Sequence, residues 1–121
     1  FLAITKKNSQ NYYIGSNGNL ILTKNSLESL PFIFGNVEPD DFLKLKAYIY
    51  NSEFNFDQIK NLYFFKSKRW DIETKDGLII KLPLNQIEIS LNNLSKIIIS
   101  EEFTNKKVID LRQKNQVILN D

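Results

Sequence analysis

The alternation of apolar and polar residues is clearest in KRWDIETKDGLIIKLP, residues 68–83, where it predicts a β-hairpin. A three-residue loop of residues 75–77, with Gly77 in the left-handed conformation, places like residues opposite each other. The predicted pairs are Thr74 with Leu78, Ile72 with Ile80, Trp70 with Leu82 and, on the other face, Asp71 with Lys81. A two-residue turn would instead place Ile72 opposite Lys81, which mixes the two faces of the sheet.

This hairpin is therefore expected to have one buried face and one face in water. Trp70 lies on the apolar face, because the residues that alternate with it along the strand and across the turn are apolar. We interpret Trp70 as an anchor of the core and not as a ring that stacks on a ligand.

The first third of the chain predicts a small antiparallel meander and one further strand. The meander takes its strands from the apolar runs at residues 2–5, 12–14 and 20–23. Asn17-Gly18 is a strong signal for a tight turn before the third of them, since both residues tolerate a positive φ. In the next apolar run, LPFIFG, Pro31 indicates a strand start or an edge strand, and Gly35 ends the strand.

A first helix is predicted at residues 39–51. Pro39 can occupy its first turn, and the two aspartates that follow favour the positive end of the helix dipole. The apolar residues at helical spacing are Phe42, Leu45 and Ile49. The next segment, FNFDQIKNLYFF at residues 54–65, alternates in places and is interpreted as two short strands.

A second helix is predicted at about residues 85–101, with Asn85 as its cap. Its apolar stripe steps by four, three and four residues through Ile87, Leu91, Leu94 and Ile98. VIDLR, residues 108–112, then reads as a strand, QKN as a turn and residues 117–119 as a last strand. The chain is thus predicted to be one α+β domain with an antiparallel or mixed β-sheet and two helices.

The composition is that of an ordinary globular domain. Of its 121 residues, 42% are hydrophobic and 25% are charged, and no apolar run approaches the ~20 residues that a membrane-spanning helix needs. The opening FLAITKK is too short for a signal peptide and looks like a strand at the cut edge of a longer protein. A net charge of +2, with one basic cluster at Lys66, Lys68 and Arg69, is too weak a signal to predict binding to nucleic acid.

The sequence offers little for catalysis. It has no histidine and no cysteine, so the commonest general bases, nucleophiles and metal ligands are missing, and so is any disulfide framework. Its four glycines are isolated turn residues, which do not form a phosphate-binding loop. We therefore expect no enzyme activity, cofactor, metal or small-molecule substrate. A hydrolase would need carboxylates that converge from distant segments, such as Glu73 and Asp110, and both are expected on the wet face.

Binding of another chain is the natural alternative to catalysis. The last strand, residues 117–119, is the best candidate for a sheet edge, where unpaired backbone groups can recruit a further strand. Ile118 is taken as a residue whose N–H would pair with that strand. A second interpretation stays open at this point, in which residues 114–116 solvate a turn and residues 120–121 form a frayed end.

The order of these motifs resembles the periplasmic β domain of the bacterial cell-division family FtsQ, called DivIB in Gram-positive bacteria. The resemblance covers nearly the whole chain, is closest to alphaproteobacterial members, and makes residues 1–121 a single FtsQ-type β domain. The motifs that carry it are Leu30-Pro31 followed by Gly35, the basic-Trp strand at residues 68–70, Lys81-Leu82-Pro83 and Asp110-Leu111-Arg112.

The resemblance implies a non-enzymatic scaffold of the divisome, active in cell division and septum formation. A cytoplasmic tail, a single transmembrane helix and a POTRA domain would precede residue 1, so that this domain lies on the periplasmic side of the inner membrane at the septum. The implied partners are FtsB and FtsL, with FtsB adding a strand at the C-terminal edge. The competing interpretation is a periplasmic interaction domain of another envelope assembly or a secretion system.

The resemblance also assigns a partner-binding region. It comprises Lys68, Arg112, Gln113, Lys114, Asn115, Gln116, Val117, Ile118 and Leu119, with Ser67 beside Lys68. The chain departs from the enterobacterial pattern, because Gln113 replaces an aromatic residue, Asn115-Gln116 replaces a Ser-Gly pair and a terminal Trp is absent. Backbone pairing survives such changes, whereas the side-chain anchors must differ. Arg112 is predicted to meet an acidic residue of the partner.

Overall fold

The computed structural model describes residues 2–22, 30–98, 107–112 and 118–120. These residues form one mixed sheet of nine strands and two α-helices. The strands are β1 (Ala3–Lys7), β2 (Gln10–Ile14), β3 (Leu20–Leu22), β4 (Phe32–Phe34), β5 (Ile59–Phe64), β6 (Trp70–Thr74), β7 (Ile79–Lys81), β8 (Val108–Asp110) and β9 (Ile118–Asn120). The helices are α1 (Pro39–Asn51) and α2 (Ile87–Ile98). The predicted α+β class, with a mixed sheet and two helices, is confirmed.

The sheet has the order β3-β2-β1-β4-β5-β6-β7-β8-β9. β1 pairs in parallel with β4, and the parallel pairs β4–β5 and β7–β8 are each connected through a helix, α1 and α2 respectively. Such crossovers are needed because parallel neighbours cannot be joined by a tight turn. The other neighbours are antiparallel, so β3 and β9 stand at the two ends of the described sheet.

Helix α1 begins and ends where the sequence predicts. Pro39 occupies its first position, and the backbone N–H of Glu38 donates to the Asp41 carboxylate (3.3 Å), which caps the helix start. The predicted apolar stripe is buried at Phe42, Leu45 and Ile49.

Helix α2 begins two residues later than predicted. Gln86, with φ +59°, precedes it, and the Gln86 carbonyl accepts the first helical hydrogen bond from the Ser90 N–H (3.0 Å). Gln86 therefore takes the capping position that the sequence assigned to Asn85. Ile87, Leu91 and Leu94 are buried as predicted, and the predicted end near residue 101 lies outside the described residues.

The core lies between the two helices and one face of the sheet. Five residues in register on neighbouring strands, which we call the apolar row, are at most 1% exposed: Ile33, Leu62, Ile72, Ile80 and Ile109. They form one buried cluster with the stripes of α1 and α2. The opposite face, which we call the open face, carries the residues that alternate with the apolar row.

The segment at residues 54–65 forms one strand, so the prediction of two strands is wrong. A 3₁₀ turn (Phe56–Gln58) comes before β5, and the Asn55 side chain accepts from the Asp57 N–H (3.0 Å). Phe56 stacks against Tyr50 of α1, with ring centroids 5.8 Å apart. Its ring thus packs on a helix and is not part of a ladder.

The N-terminal meander forms as predicted, but its two-residue turn lies elsewhere. Asn8 and Ser9, with φ +51° and +67°, make the tight turn between β1 and β2. Gly18 has the expected positive φ of +82°, whereas Asn17 is not among the residues with positive φ. The connection from β2 to β3 is therefore a longer loop, which closes with a hydrogen bond from the Gly15 N–H to the Asn19 carbonyl (3.0 Å).

The β6–β7 hairpin has the predicted register. Asp71 pairs with Lys81 and Ile72 with Ile80, and Gly77 has φ +86°. Trp70 is 4% exposed and belongs to the core cluster, which confirms its role as an anchor. The prediction of a wet outer face is wrong at Asp71, which is 8% exposed, because β6 is an interior strand and the Arg69 side chain pairs with this carboxylate.

A candidate strand-docking edge

Strand β9 ends the described sheet and pairs with β8 alone among the described strands. Its bounds, Ile118–Asn120, lie one residue later than the predicted strand at residues 117–119. The candidate residues Gln113, Lys114, Asn115, Gln116 and Val117 lie outside the described residues. The predicted edge therefore rests on Ile118 and Leu119, both of which are in β9.

The hydrogen bonds between β7 and β8 determine which way each residue of β8 points. The Ile79 N–H donates to the Lys107 carbonyl (2.8 Å), and the Leu111 N–H donates to the Lys81 carbonyl (2.9 Å). In a parallel ladder these two bonds mean that the odd-numbered residues of β8 bond to β7. The even-numbered residues consequently direct their backbone groups toward β9.

The same alternation fixes the outward groups of β9. Val108 and Asp110 face β9, where their register partners are Asn120 and Ile118. The N–H and C=O groups of those two residues of β9 therefore form hydrogen bonds with β8. Leu119, between them, directs its N–H and C=O away from β8. The outward donor that the sequence placed at Ile118 therefore belongs to Leu119.

Asp110 and Arg112 form an ion pair at the end of β8. The Arg112 N–H donates to Asp110 Oδ1 (3.0 Å), and Arg112 Nε donates to both carboxylate oxygens (2.8 and 3.0 Å). Hydrogen bonds from the Arg112 guanidinium, with a further contribution from its backbone N–H, lower the pKa of Asp110 despite the opposing effect of burial. The Asp110 side chain is 8% exposed and that of Arg112 is 45% exposed, so Arg112 still presents charge to the solvent.

A row of alternating charge leads across the open face to this point. Asp71, Lys81 and Asp110 are register partners on β6, β7 and β8, so opposite charges stand side by side. Arg69 pairs with Asp71 and lies over the Phe65 ring, 4.7 Å from its centroid. Arg69 is thus held in place by the domain itself.

Lys68 and Arg112 lie at the same end of the sheet. Lys68 belongs to the loop that leads into β6, and Arg112 follows the end of β8, which runs antiparallel to β6. The first residue of β9, Ile118, pairs with Asp110 at this end. The structure therefore brings the described basic candidates to the end of the sheet where the edge strand begins.

The loop that carries Lys68 has the same hydrogen bonds as the β6–β7 loop. The Phe65 N–H donates to the Arg69 carbonyl (3.0 Å), and the Lys68 N–H donates to the Phe65 carbonyl (2.8 Å). Lys68, with φ +70°, stands where the β6–β7 loop has Gly77. A non-glycine residue in this conformation costs roughly 1–2 kcal/mol.

Replacing Lys68 with glycine should therefore raise the free energy of unfolding by about 0.5–1 kcal/mol, after the greater freedom of glycine in the unfolded chain is subtracted. Lys66→Gly is the matched control, since it removes the same side chain and charge from a loop position without positive φ. Urea denaturation should show a gain for the first variant and a small loss for the second. Equal stabilities would contradict the strain at Lys68.

Glu73 and Asp110 do not form a hydrolytic pair. Glu73 accepts hydrogen bonds from the Asn61 amide (2.9 Å) and the Tyr63 hydroxyl (2.7 Å), and these bonds lower its pKa. It lies two strands and about two residues away from Asp110 in the register, roughly 12 Å by ordinary sheet spacing. No group of three potential metal ligands occurs among the described residues, and neither described helix is long and apolar enough to cross a membrane.

The pairing of Asp110 with Arg112 was not predicted from the sequence. Its signal was present, since opposite charges two residues apart on one strand lie on the same face, as Asp110 and Arg112 do. The pairing changes the expected role of Arg112, because its guanidinium is already engaged and a partner carboxylate would have to share it.

The strand order and the two helical crossovers define an α+β domain in which β9 is an end strand of the described sheet. The model of the family "Cell division protein FtsQ/DivIB, C-terminal" matches residues 3–112. The chain belongs to the FtsQ/DivIB family, as the sequence motifs predicted, and this family is one of non-catalytic division scaffolds. The match includes Lys68 and Arg112 and ends before β9.

A solved structure supports the fold. The major extracytoplasmic domain of the trans isomer of the cell division protein DivIB from Geobacillus stearothermophilus is similar, with a TM-score of 0.55 and 15% identity. The similarity covers 87% of this chain and 95% of that one. No curated protein matches the chain. The family match favours a role in cell division over one in a secretion system.

Proposed function

We propose that this domain is a non-enzymatic scaffold of the bacterial divisome, which binds FtsB- and FtsL-type partners by accepting a partner strand at β9. The observation that carries the proposal is the register of β9, which leaves the N–H and C=O of Leu119 directed away from the described sheet. An added strand is held by such backbone groups, so binding does not depend on aromatic anchors.

The basic residues at the same end would select the partner. The partly exposed guanidinium of Arg112 can share a partner carboxylate with Asp110, and Lys68 adds a second exposed cation on the loop before β6. Residues 113–117 are part of the proposed partner-binding region. Because Asp110 already neutralises part of the Arg112 charge, this ion pair is expected to contribute more to partner choice than to affinity.

The proposed location is the periplasmic side of the inner membrane at the division septum, where an anchor outside this chain would hold the domain. Membership of a family of division scaffolds supports this location and the absence of catalysis. The hydrogen bonds that the Glu73 and Asp110 carboxylates already accept also support the absence of catalysis.

Leu119→Pro tests strand addition directly. Proline removes the outward N–H of β9, and a sheet tolerates proline where the missing N–H faces solvent, so the domain should stay folded. Affinity for a synthetic peptide from the extracytoplasmic C-terminal segment of the same organism's FtsB-type protein should fall at least about tenfold in isothermal titration calorimetry. A folded Leu119→Pro domain that binds the peptide as the unaltered domain does would remove the proposal.

Two proline variants serve as controls. Leu22→Pro removes an outward donor from β3 at the other end of the sheet, since Gly15 and Tyr13 face β3 and their pairs with Asn19 and Ile21 use the inward groups. This variant should bind the peptide normally. Ile118→Pro removes an inward donor, so it should weaken the β8–β9 pair itself, with faster amide exchange at Asp110.

A further inference from the structure

The apolar row continues onto the edge strand. Ile72, Ile80 and Ile109 are register partners on β6, β7 and β8, each 0% exposed, and Leu119 is the register partner of Ile109. Leu119 is therefore the last described position of a row that crosses the helix-covered face of the sheet. A strand added to β9 would place one of its residues at the next position of this row.

The two neighbouring rows mix polar and apolar residues and are not uniformly apolar. The row that ends at Ile118 contains Asp71, Lys81 and Asp110, and it lies on the open face. The row that ends at Asn120 also lies on the open face, and it runs from Glu73 through Ile79 and Val108. Because side chains alternate between faces, the two partner residues flanking the one opposite Leu119 would extend these open-face rows.

We propose that the partner of β9 is a strand with an apolar residue in register with Leu119 and polar residues on both sides of it. The inference rests on the proposed function, since it takes strand addition at β9 as given and specifies the chemistry of the added strand. A slip by one residue would move the apolar residue to the open face and a polar residue into line with Ile72, Ile80 and Ile109. The row pattern therefore selects both the partner sequence and its register.

The polar flanking positions follow from the open face, which lies opposite the face that the described helices cover. Asp71, Lys81 and Asp110 alternate in sign up to the strand next to β9. The β9 member of this row is Ile118, and the described helices pack on the other face, so a polar partner residue in this row would not be buried under them. The edge thus distinguishes a partner that alternates in polarity from a uniformly apolar strand.

A strand attached to the chain itself tests the inference without knowledge of the natural partner. The 121-residue chain is extended after Asp121 by Asn-Gly-Thr-Lys-Val-Lys-Thr, in which Asn-Gly forms a two-residue turn. Counted across this two-residue turn, the third residue after it, Val, lies opposite Leu119. The matched control, Asn-Gly-Thr-Val-Lys-Thr-Lys, has the same composition but places Lys opposite Leu119.

The readouts are the thermal midpoint and the hydrogen exchange of the Leu119 amide. We expect the Val-centred extension to raise the midpoint by about 3–5 °C and to protect this amide, and the control to do neither. Equal protection by both extensions would overturn the polarity rule while leaving strand addition intact. Absence of protection in both would overturn strand addition at β9, and the proposed function with it.

Discussion

Replacing Gly35 with alanine is expected to cost at least about 3–5 kcal/mol, a large part of the 5–15 kcal/mol that stabilises a typical domain. Gly35 follows β4 with φ +113°, a conformation that L-residues rarely adopt. A Cβ atom at this position would lie 2.2 Å from the Phe64 carbonyl oxygen of β5. The obstructing atom belongs to the backbone of a neighbouring strand, so relief requires the β4–β5 pair to shift.

Gly77→Ala is the matched control for this variant. Gly77 has a positive φ of +86°, but a Cβ added there meets nothing within 4 Å. Its loss should be about 1 kcal/mol, which measures the conformational cost without the clash. Urea denaturation of both variants therefore separates the two causes. A Gly35→Ala domain as stable as Gly77→Ala would show that β4 and β5 can move apart at little cost.

Removal of the Trp70 side chain is expected to cost about 3–5 kcal/mol. Trp70 is 4% exposed, and its ring packs against Phe64 with centroids 4.7 Å apart. Trp70→Ala would leave a large cavity between β6 and the core. Because Trp70 is the single tryptophan of the chain, unfolding should be followed by circular dichroism rather than by fluorescence.

Trp70→Phe keeps an aromatic ring beside Phe64 and should cost only about 1–2 kcal/mol. The difference between the two variants measures how much of the anchor depends on filling the site. A loss below 1 kcal/mol for Trp70→Ala would contradict the role of Trp70 as a core anchor and would favour the ligand-stacking interpretation instead.

The pattern of residues predicted those elements whose local signals agree with their surroundings. In the β6–β7 hairpin, the position of Gly77 and the matching of apolar pairs admitted one register, and that register forms. In α1, Pro39, the following aspartates and the apolar spacing all indicate the same bounds. Agreement between capping, turn and packing signals made these elements predictable.

Elements that depend on tertiary contacts were harder to predict. The aromatic cluster at residues 54–65 alternates like strands, but Phe56 packs on Tyr50 of α1, a contact that no local pattern reveals. The burial of Asp71 depends on its position in an interior strand and on Arg69. Asn8-Ser9 takes the tight turn although Asn17-Gly18 has the stronger sequence signal, since strand register decides where a two-residue turn fits.

The last strand of the candidate site was predicted to within one residue of its position in the structure. Local sequence patterns do not reveal which residue of this strand directs its backbone groups outward. Whether Ile118 or Leu119 faces outward depends on the parallel β7–β8 ladder, which is set by residues far away in sequence, such as Ile79. The pairing of Arg112 with Asp110, by contrast, has a local signal in their spacing of two residues.

The carboxylate of Asp110 limits the backbone hydrogen bonding between β8 and β9. The Arg112 N–H has the even-numbered phase that would make it the next donor toward β9, and Asp110 Oδ1 takes it instead. A single side chain thereby withdraws one backbone donor from the pairing between β8 and β9. A residue without an acceptor at position 110 would leave this N–H available to β9, so the side chain at one position can tune how firmly the edge strand is attached to the sheet.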